Sequence, residues 1–175
     1  MSRLVCVSNR ITLPRKTAAP GGLAVGVLAA MREKGGLWFG WSGDLNADPA
    51  PQPEVVTRER IDYATIDLTQ TQYDRYYRGF CNTTLWPLFH YLTDRFRYDH
   101  EWHAGYRDVN RWFAERLVPL LRPDDRLWIH DYHLIPLARE LRSLGVRQRI
   151  GLFLHIPFPH IEVLRLLPPY EELIR

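Results

Sequence analysis

Three stretches of this chain are almost unbroken apolar runs: Leu4-Val5-Cys6-Val7, Leu127-Trp128-Ile129 and Ile150 to Leu154. None shows the 3.6-residue recurrence of an amphipathic helix, and strands covered on both faces of a parallel sheet read this way. Two more strands are predicted around Leu37 to Trp41 and Tyr63 to Asp67. Helical patterns lie between them. Leu134, Leu137, Ala138 and Leu141 recur at i, i+3, i+4 and i+7, with Pro136 in the first turn and Gly145 placed for the C-terminal cap. Tyr106, Val109, Trp112, Phe113, Leu117 and Leu120 trace a second stripe, limited by Pro119. A third helix is predicted from Gly22 to Lys34, stopping at Gly35-Gly36, and Tyr73 to Tyr91 reads as one or two helices. Asn46 to Gln52, with Pro49, Pro51 and Pro53 close by, reads as a surface loop.

Alternating strands and helices predict an α/β domain, a Rossmann-like parallel sheet flanked by helices with right-handed connections. No repeat or linker divides residues 1–175, so one domain is expected. At 46% hydrophobic and 25% charged residues the chain has material for a core, which excludes disorder and a small disulfide scaffold. Net charge is only +3, too little to argue for nucleic acid. No apolar run approaches the roughly 20 residues of a membrane helix, and the N-terminal run is too short for a signal peptide. A soluble, cytoplasmic protein is expected, with no membrane partner. Cys6 and Cys81 have no metal-ligand spacing, which suits a reducing compartment.

The functional signal lies in the polar residues that end each apolar run. The first run leads into Ser8-Asn9-Arg10, the second into His130-Asp131, the third into His155. Open parallel sheets bind ligands beyond the carboxyl ends of their strands, and three strands delivering polar groups to one edge point to a site there. Gly21-Gly22 opens the first helix and would expose backbone N–H groups at its positive end, an anion site. The spacing G-G-x-x-x-G is neither the dinucleotide fingerprint nor a phosphate loop, which counts against a nicotinamide dehydrogenase. His130 and His133 stand at the end of a strand and the start of a helix and have no third ligand, so no metal is expected. Asp131 is better used to accept hydrogen bonds from the hydroxyls of a sugar. Trp38, Trp41, Tyr76, Tyr77 and Trp86 lie close together in sequence. Trp38 reads as core, while an aromatic-lined cleft would suit the C–H faces of a sugar. There is no G-x-S-x-G elbow and no cysteine–histidine pair for nucleophilic hydrolysis.

The segments VSNR, GGLAVG, GLWFGWSG, YYRGFCNTTLWPLFH, WIHDYHLIPLA and GLFLHIPFP, in this order, resemble the N-terminal part of the trehalose-6-phosphate synthases. The resemblance spans nearly the whole chain. It implies a retaining glycosyltransferase of the two-domain GT-B fold that moves glucose from UDP-glucose to glucose 6-phosphate, without metal or other cofactor. By matching motif, Arg10 would hold the acceptor phosphate, and Tyr77, Trp86 and Asp131 the acceptor sugar, with Trp41 nearby. Gly21 and Gly22 would meet the donor through backbone N–H groups, and His155 would approach the donor glucose. His155 and Asp131 are thus the catalytic candidates, and Trp86 with Ile156 would bear on α-anomeric selectivity.

The family's second, donor-side domain is absent from these residues, so an incomplete acceptor-side domain, inactive alone, is expected. Homo-oligomerisation of the full-length enzyme is compatible with the resemblance. Two rivals remain: a sibling transferase using another acceptor such as glycerol 3-phosphate, and a non-catalytic sugar-phosphate-binding domain.

Overall fold

The computed structural model describes residues 2–11 and 22–174, the side chains of 22–25 excepted. Among the described residues, six strands form one sheet in the order β3-β4-β2-β1-β5-β6. They are β1 (Leu4–Arg10), β2 (Gly36–Leu45), β3 (Glu54–Arg58), β4 (Ile61–Leu68), β5 (Arg126–His130) and β6 (Arg149–Phe153). β1 lies in the middle, parallel to β2 and β5, so the Ser8-Asn9-Arg10 segment is the end of the central strand itself. The strand pairing shifts register between Val7 and Arg10.

Side chains alternate across the pleat, and the two faces have different covers. Val5 and Val7 of β1, with Leu37, Phe39, Trp41, Leu127 and Ile129, join the larger core. Cys6 faces the other way, with Trp38, Tyr63 and Met31. That second face is covered by α1 (Gly22–Lys34), which contributes Val27 and Met31. The first face is covered by a long helical segment, α2 (residues 70–89), by α3 (His100–Leu117) and by α4 (Leu137–Ser143).

The structure departs from the periodicity in three places. The hairpin strand β3 has no counterpart among the predicted strands: its residues are mostly exposed and it pairs antiparallel with β4, a modest departure from an all-parallel sheet. β6, expected to be covered on both faces, is the sheet edge among the described residues. Leu152 and Phe153 are 47% and 50% exposed, so its apolar run reflects something other than burial within these residues. The stripe from Leu134 to Leu141 is also broken: a single 3₁₀ turn, Tyr132–Leu134, precedes α4, whose N-cap is Pro136.

Tyr73 to Tyr91 is helical almost throughout, in one continuous piece. α2 begins with an α-turn at Gln70–Gln72, continues as a π-helix over Tyr73–Leu85 and closes as an α-helix over Trp86–Phe89. A capping box starts it: the Gln72 N–H donates to Thr69 Oγ1 at 3.1 Å, and the Thr69 N–H donates to Gln72 Oε1 at 2.8 Å. The wide winding shows in burial. Tyr76, then Gly79 to Cys81, then Thr84 and Leu85 are buried, while Tyr77, Asn82 and Trp86 fall on the more open side. At 3.6 residues per turn, Tyr77 and Trp86 would stand on opposite faces of a helix. With each N–H reaching back five residues, as Trp86 does to the Cys81 carbonyl, they are about two turns apart and share a face. Gly79 lets α3 approach, since a Cβ there would lie 2.6 Å from the Trp102 ring.

Candidate functional site

The carboxyl ends of β1, β2 and β5 carry a row of aromatic and polar groups. Of the three residues ending β1, two are used up by the fold. Ser8 is buried and accepts from the Trp38 indole N–H at 2.9 Å, and Asn9 accepts from the Tyr76 hydroxyl at 2.7 Å. Trp38 and Tyr76 are therefore core residues that brace the strand end, as expected for Trp38 and unlike the cleft-lining grouping for Tyr76. Arg10 differs. It is exposed, its guanidinium carbon stands 5.5 Å from the centre of the Trp41 ring, and no charged or hydrogen-bonding partner takes it among the described residues.

Gly43 makes room for that guanidinium. Its φ is +97°, and a Cβ there would run into Arg10 Nε and Nη2. The Trp41 indole N–H donates to the Asp44 carbonyl at 2.7 Å, which fixes the ring beneath Arg10. From Trp41 the row continues to Tyr77, 6.1 Å between ring centres, and on to His133, stacked on Tyr77 at 5.8 Å and 14°. Trp86 is 39% exposed on the same face of α2 as Tyr77 and packs on His90 at 4.2 Å. Asn82 lies between them along α2 and accepts from the Tyr132 hydroxyl at 3.2 Å.

Asp131 is the hinge of the site. Its φ of +74° and ψ of 170° form a combination that only glycine adopts freely, costing about 1–3 kcal/mol for another residue. Hydrogen bonds hold it there. Its N–H donates to the Phe153 carbonyl at 2.7 Å, and its Oδ1 accepts from the N–H groups of Tyr132 at 3.0 Å and His155 at 3.3 Å. Two buried groups on α3 steady the 3₁₀ turn beyond it: the Tyr106 hydroxyl donates to the Tyr132 carbonyl at 2.7 Å, and the Asn110 amide donates to the His133 carbonyl at 3.1 Å. The other carboxylate oxygen, Oδ2, stands 3.9 Å from His133 Nδ1, beyond hydrogen-bond reach. Backbone strain at a strand end, with one carboxylate oxygen free, is the arrangement expected of a ligand-binding acid.

On the far side of Asp131, Trp128, His130, Asp131, Phe153 and His155 face Gly26 and Val27 of α1 across a cavity of about 550 Å³. His155 is exposed, and its ring Nε2 lies 2.9 Å from His130 Nδ1. Burial, and then the charge His155 would carry, push His130 down to about 4; burial alone pushes His133 down to about 3. Both are thus neutral at physiological pH. The two histidines take different partners, and no cluster of three metal-ligating side chains occurs among the described residues. Gly22 opens α1 with no acidic residue in its first turn. Gly21 lies outside the described residues. Ile156 is half-buried and packs against the main core behind His155.

The edge therefore collects Arg10, Trp41, Tyr77 and Asp131 on one flank and His155 with Gly26 and Val27 of α1 on the other. His130, which with Asp131 ends the second apolar run, also takes part, as do His133, Asn82 and Gly43, whose sequence positions do not reveal it. The motifs containing them are visible in the chain, but the side chain each one touches is not.

The profile of glycosyltransferase family 20 matches residues 4–175. A trehalose-6-phosphate synthase of Klebsiella pneumoniae is 53% identical over 175 residues, covering 99% of this chain and 37% of that protein. A UDP-forming α,α-trehalose-phosphate synthase from Burkholderia xenovorans superposes with a TM-score of 0.91 at 55% identity, again over 99% of this chain and 37% of the other. A second structure from that organism, in complex with glucose 6-phosphate, gives a TM-score of 0.91 at 53% identity, over 99% of this chain and 38% of that one. The chain thus spans little more than a third of the length of the relatives it matches.

Proposed function

Because the chain belongs to glycosyltransferase family 20, we propose that its strand-end surface is the acceptor-side wall of a UDP-glucose-dependent trehalose-6-phosphate synthase. In this reading residues 1–175 form part of the first of two Rossmann-like domains, and transfer requires the remainder. The observation that carries it is Arg10: a guanidinium with no charged or hydrogen-bonding partner among the described residues, seated above Trp41 in space that Gly43 keeps open. A planar fork of donors fits a phosphate, and the adjoining Trp41 and Tyr77 rings offer faces for the sugar attached to it.

Arg10 then binds the phosphate of glucose 6-phosphate, while Tyr77, Trp86 and the free oxygen of Asp131 hold the sugar. Gly21 and Gly22 meet the donor through backbone N–H groups, and His155 faces the donor glucose across the cavity beside α1. Trp86 and Ile156 restrict the approach that sets the α configuration. Attack by the acceptor hydroxyl on the anomeric carbon, on the face from which UDP departs, with the hydroxyl proton passing to the departing phosphate oxygen, needs no covalent nucleophile and no metal. The residues act by orientation and by charge stabilisation, the two largest contributions open to such a site. In a reducing cytoplasm Cys6 and Cys81 stay thiols; both are buried, and burial pushes the Cys6 thiol up to about 12.

The test is a titration of the isotopically labelled chain with glucose 6-phosphate, glucose and glycerol 3-phosphate, monitored by NMR. Glucose 6-phosphate should shift signals of Arg10, Trp41, Tyr77 and Asp131, and glucose should do so only at much higher concentration. No response at these residues, or equal response to glucose and its phosphate, refutes the reading. Tighter binding of glycerol 3-phosphate would instead point to the sibling acceptor.

A further inference from the structure

The contact between His130 and His155 constrains more than position. Their nitrogens, His130 Nδ1 and His155 Nε2, are 2.9 Å apart, so one must carry the hydrogen and the other the lone pair. The choice is decided on the far side of the His130 ring. His130 Nε2 is buried with no partner among the described residues, in a setting where Trp128 packs on the ring at 4.3 Å. If His155 donated, neutral His130 would have to keep its proton on Nε2, leaving an orphaned N–H. If His130 donates from Nδ1, only a bare lone pair is left there. Burying an unpaired N–H costs more than leaving an acceptor under-satisfied, and orphaned N–H groups are the rarer of the two, so the second arrangement is favoured.

We propose that His130 is a positioning residue: it donates to His155 Nε2 and thereby fixes His155 as the tautomer with its proton on Nδ1. This rests on the reading of this edge as the wall of a sugar-transfer site. His155, exposed and lining the cavity shared with α1, then presents its Nδ1–H as a donor to that cavity. Its lone pair is already occupied by His130. It therefore serves as a hydrogen-bond donor to a hydroxyl or phosphate oxygen of a sugar nucleotide, and it does not act as a general base there. The lowered basicity of His130 supports this arrangement, because a neutral ring has a single proton to place.

Histidine tautomers can be read directly from ring-nitrogen shifts in long-range ¹H–¹⁵N spectra of the labelled chain at neutral pH, with His155→Gln assigning the signals. His155 should show Nε2 as an unprotonated nitrogen and Nδ1 as a protonated one. His130→Phe keeps the ring shape and removes the orphaned atom, so the fold should persist while the His155 nitrogens move toward a mixture of tautomers. His130→Asn, which puts an amide N–H near the position of Nδ1, should restore the native order. A protonated His155 Nε2 in the native chain, or unchanged His155 shifts in His130→Phe, overturns the proposal. Should the native order and its loss in His130→Phe be seen while glucose 6-phosphate fails to bind, the functional reading falls and the positioning role stands.

Discussion

Gly43→Ala separates the phosphate site from the rest of the molecule. The substitution has two effects of different size. An L-residue at a φ of +97° is strained by about 1–3 kcal/mol, which for a domain of this length lowers Tm by roughly 2–12 °C. The new methyl group also occupies the place of the Arg10 guanidinium, whose carbon would be 2.6 Å away. Arg10 is exposed, so it can swing out at little cost to the fold, but it leaves Trp41. Losing one charge-assisted contact of about 1.5–3 kcal/mol should weaken glucose 6-phosphate binding roughly 10- to 100-fold. Calorimetric or NMR titration below the new Tm measures this, with glucose as the control whose affinity should hardly change. Arg10→Ala should match the loss, and the double variant should be no weaker than Arg10→Ala alone, because both act through one contact. Native affinity in Gly43→Ala, or equal weakening toward glucose and its phosphate, would show that Arg10 does not hold the phosphate.

Asp131→Asn keeps an acceptor oxygen for the Tyr132 and His155 N–H groups and a residue tolerant of positive φ, so it should fold yet bind the sugar about tenfold more weakly; unchanged affinity refutes its role, and loss of binding on adding a chelator to the native chain would refute the metal-free reading. Stability should fall as pH drops below 6.5, because the unfolded chain then takes up protons that His130, held near 4, and His133, held near 3, refuse in the folded state. The slope approaches about 1.4 kcal/mol per pH unit for each histidine. Urea unfolding between pH 5 and 7 measures it, His130→Phe should remove its share, and a flat profile would contradict the burial of both rings. Finally, this chain alone, given UDP-glucose and glucose 6-phosphate, should release no UDP above background. It spans 37% of the length of the Klebsiella pneumoniae relative, and removing even one preorganised contact costs roughly 10²–10³ in rate; turnover near the common range of about 1–10³ s⁻¹ would refute a two-part site.

Periodicity in the sequence determined much of this protein by itself. The runs around Leu4, Leu37, Tyr63, Leu127 and Ile150 are strands because β-rich apolar segments without a helical repeat have few other uses, and the stripe from Tyr106 to Leu117 lies within α3. That Arg10, Asp131 and His155 gather at one edge is a consequence of parallel strands ending on the same side. The tertiary structure decided the rest. Among the described residues β6 stands at the end of the pairing order, and pairing order is a long-range property that a run of apolar residues does not encode. Ser8, Asn9 and Arg10 are adjacent and polar, yet only Arg10 is left free among the described residues, since Trp38 and Tyr76 reach the other two from distant elements. The π-helical winding of α2, invisible to a 3.6-residue template, puts Tyr77 and Trp86 on one face. The tautomer of His155 depends on a proton placed by His130, 25 residues away in sequence. Local patterns report which backbone a segment favours; which side chain meets which is settled only when the sheet and its covering helices close their contacts.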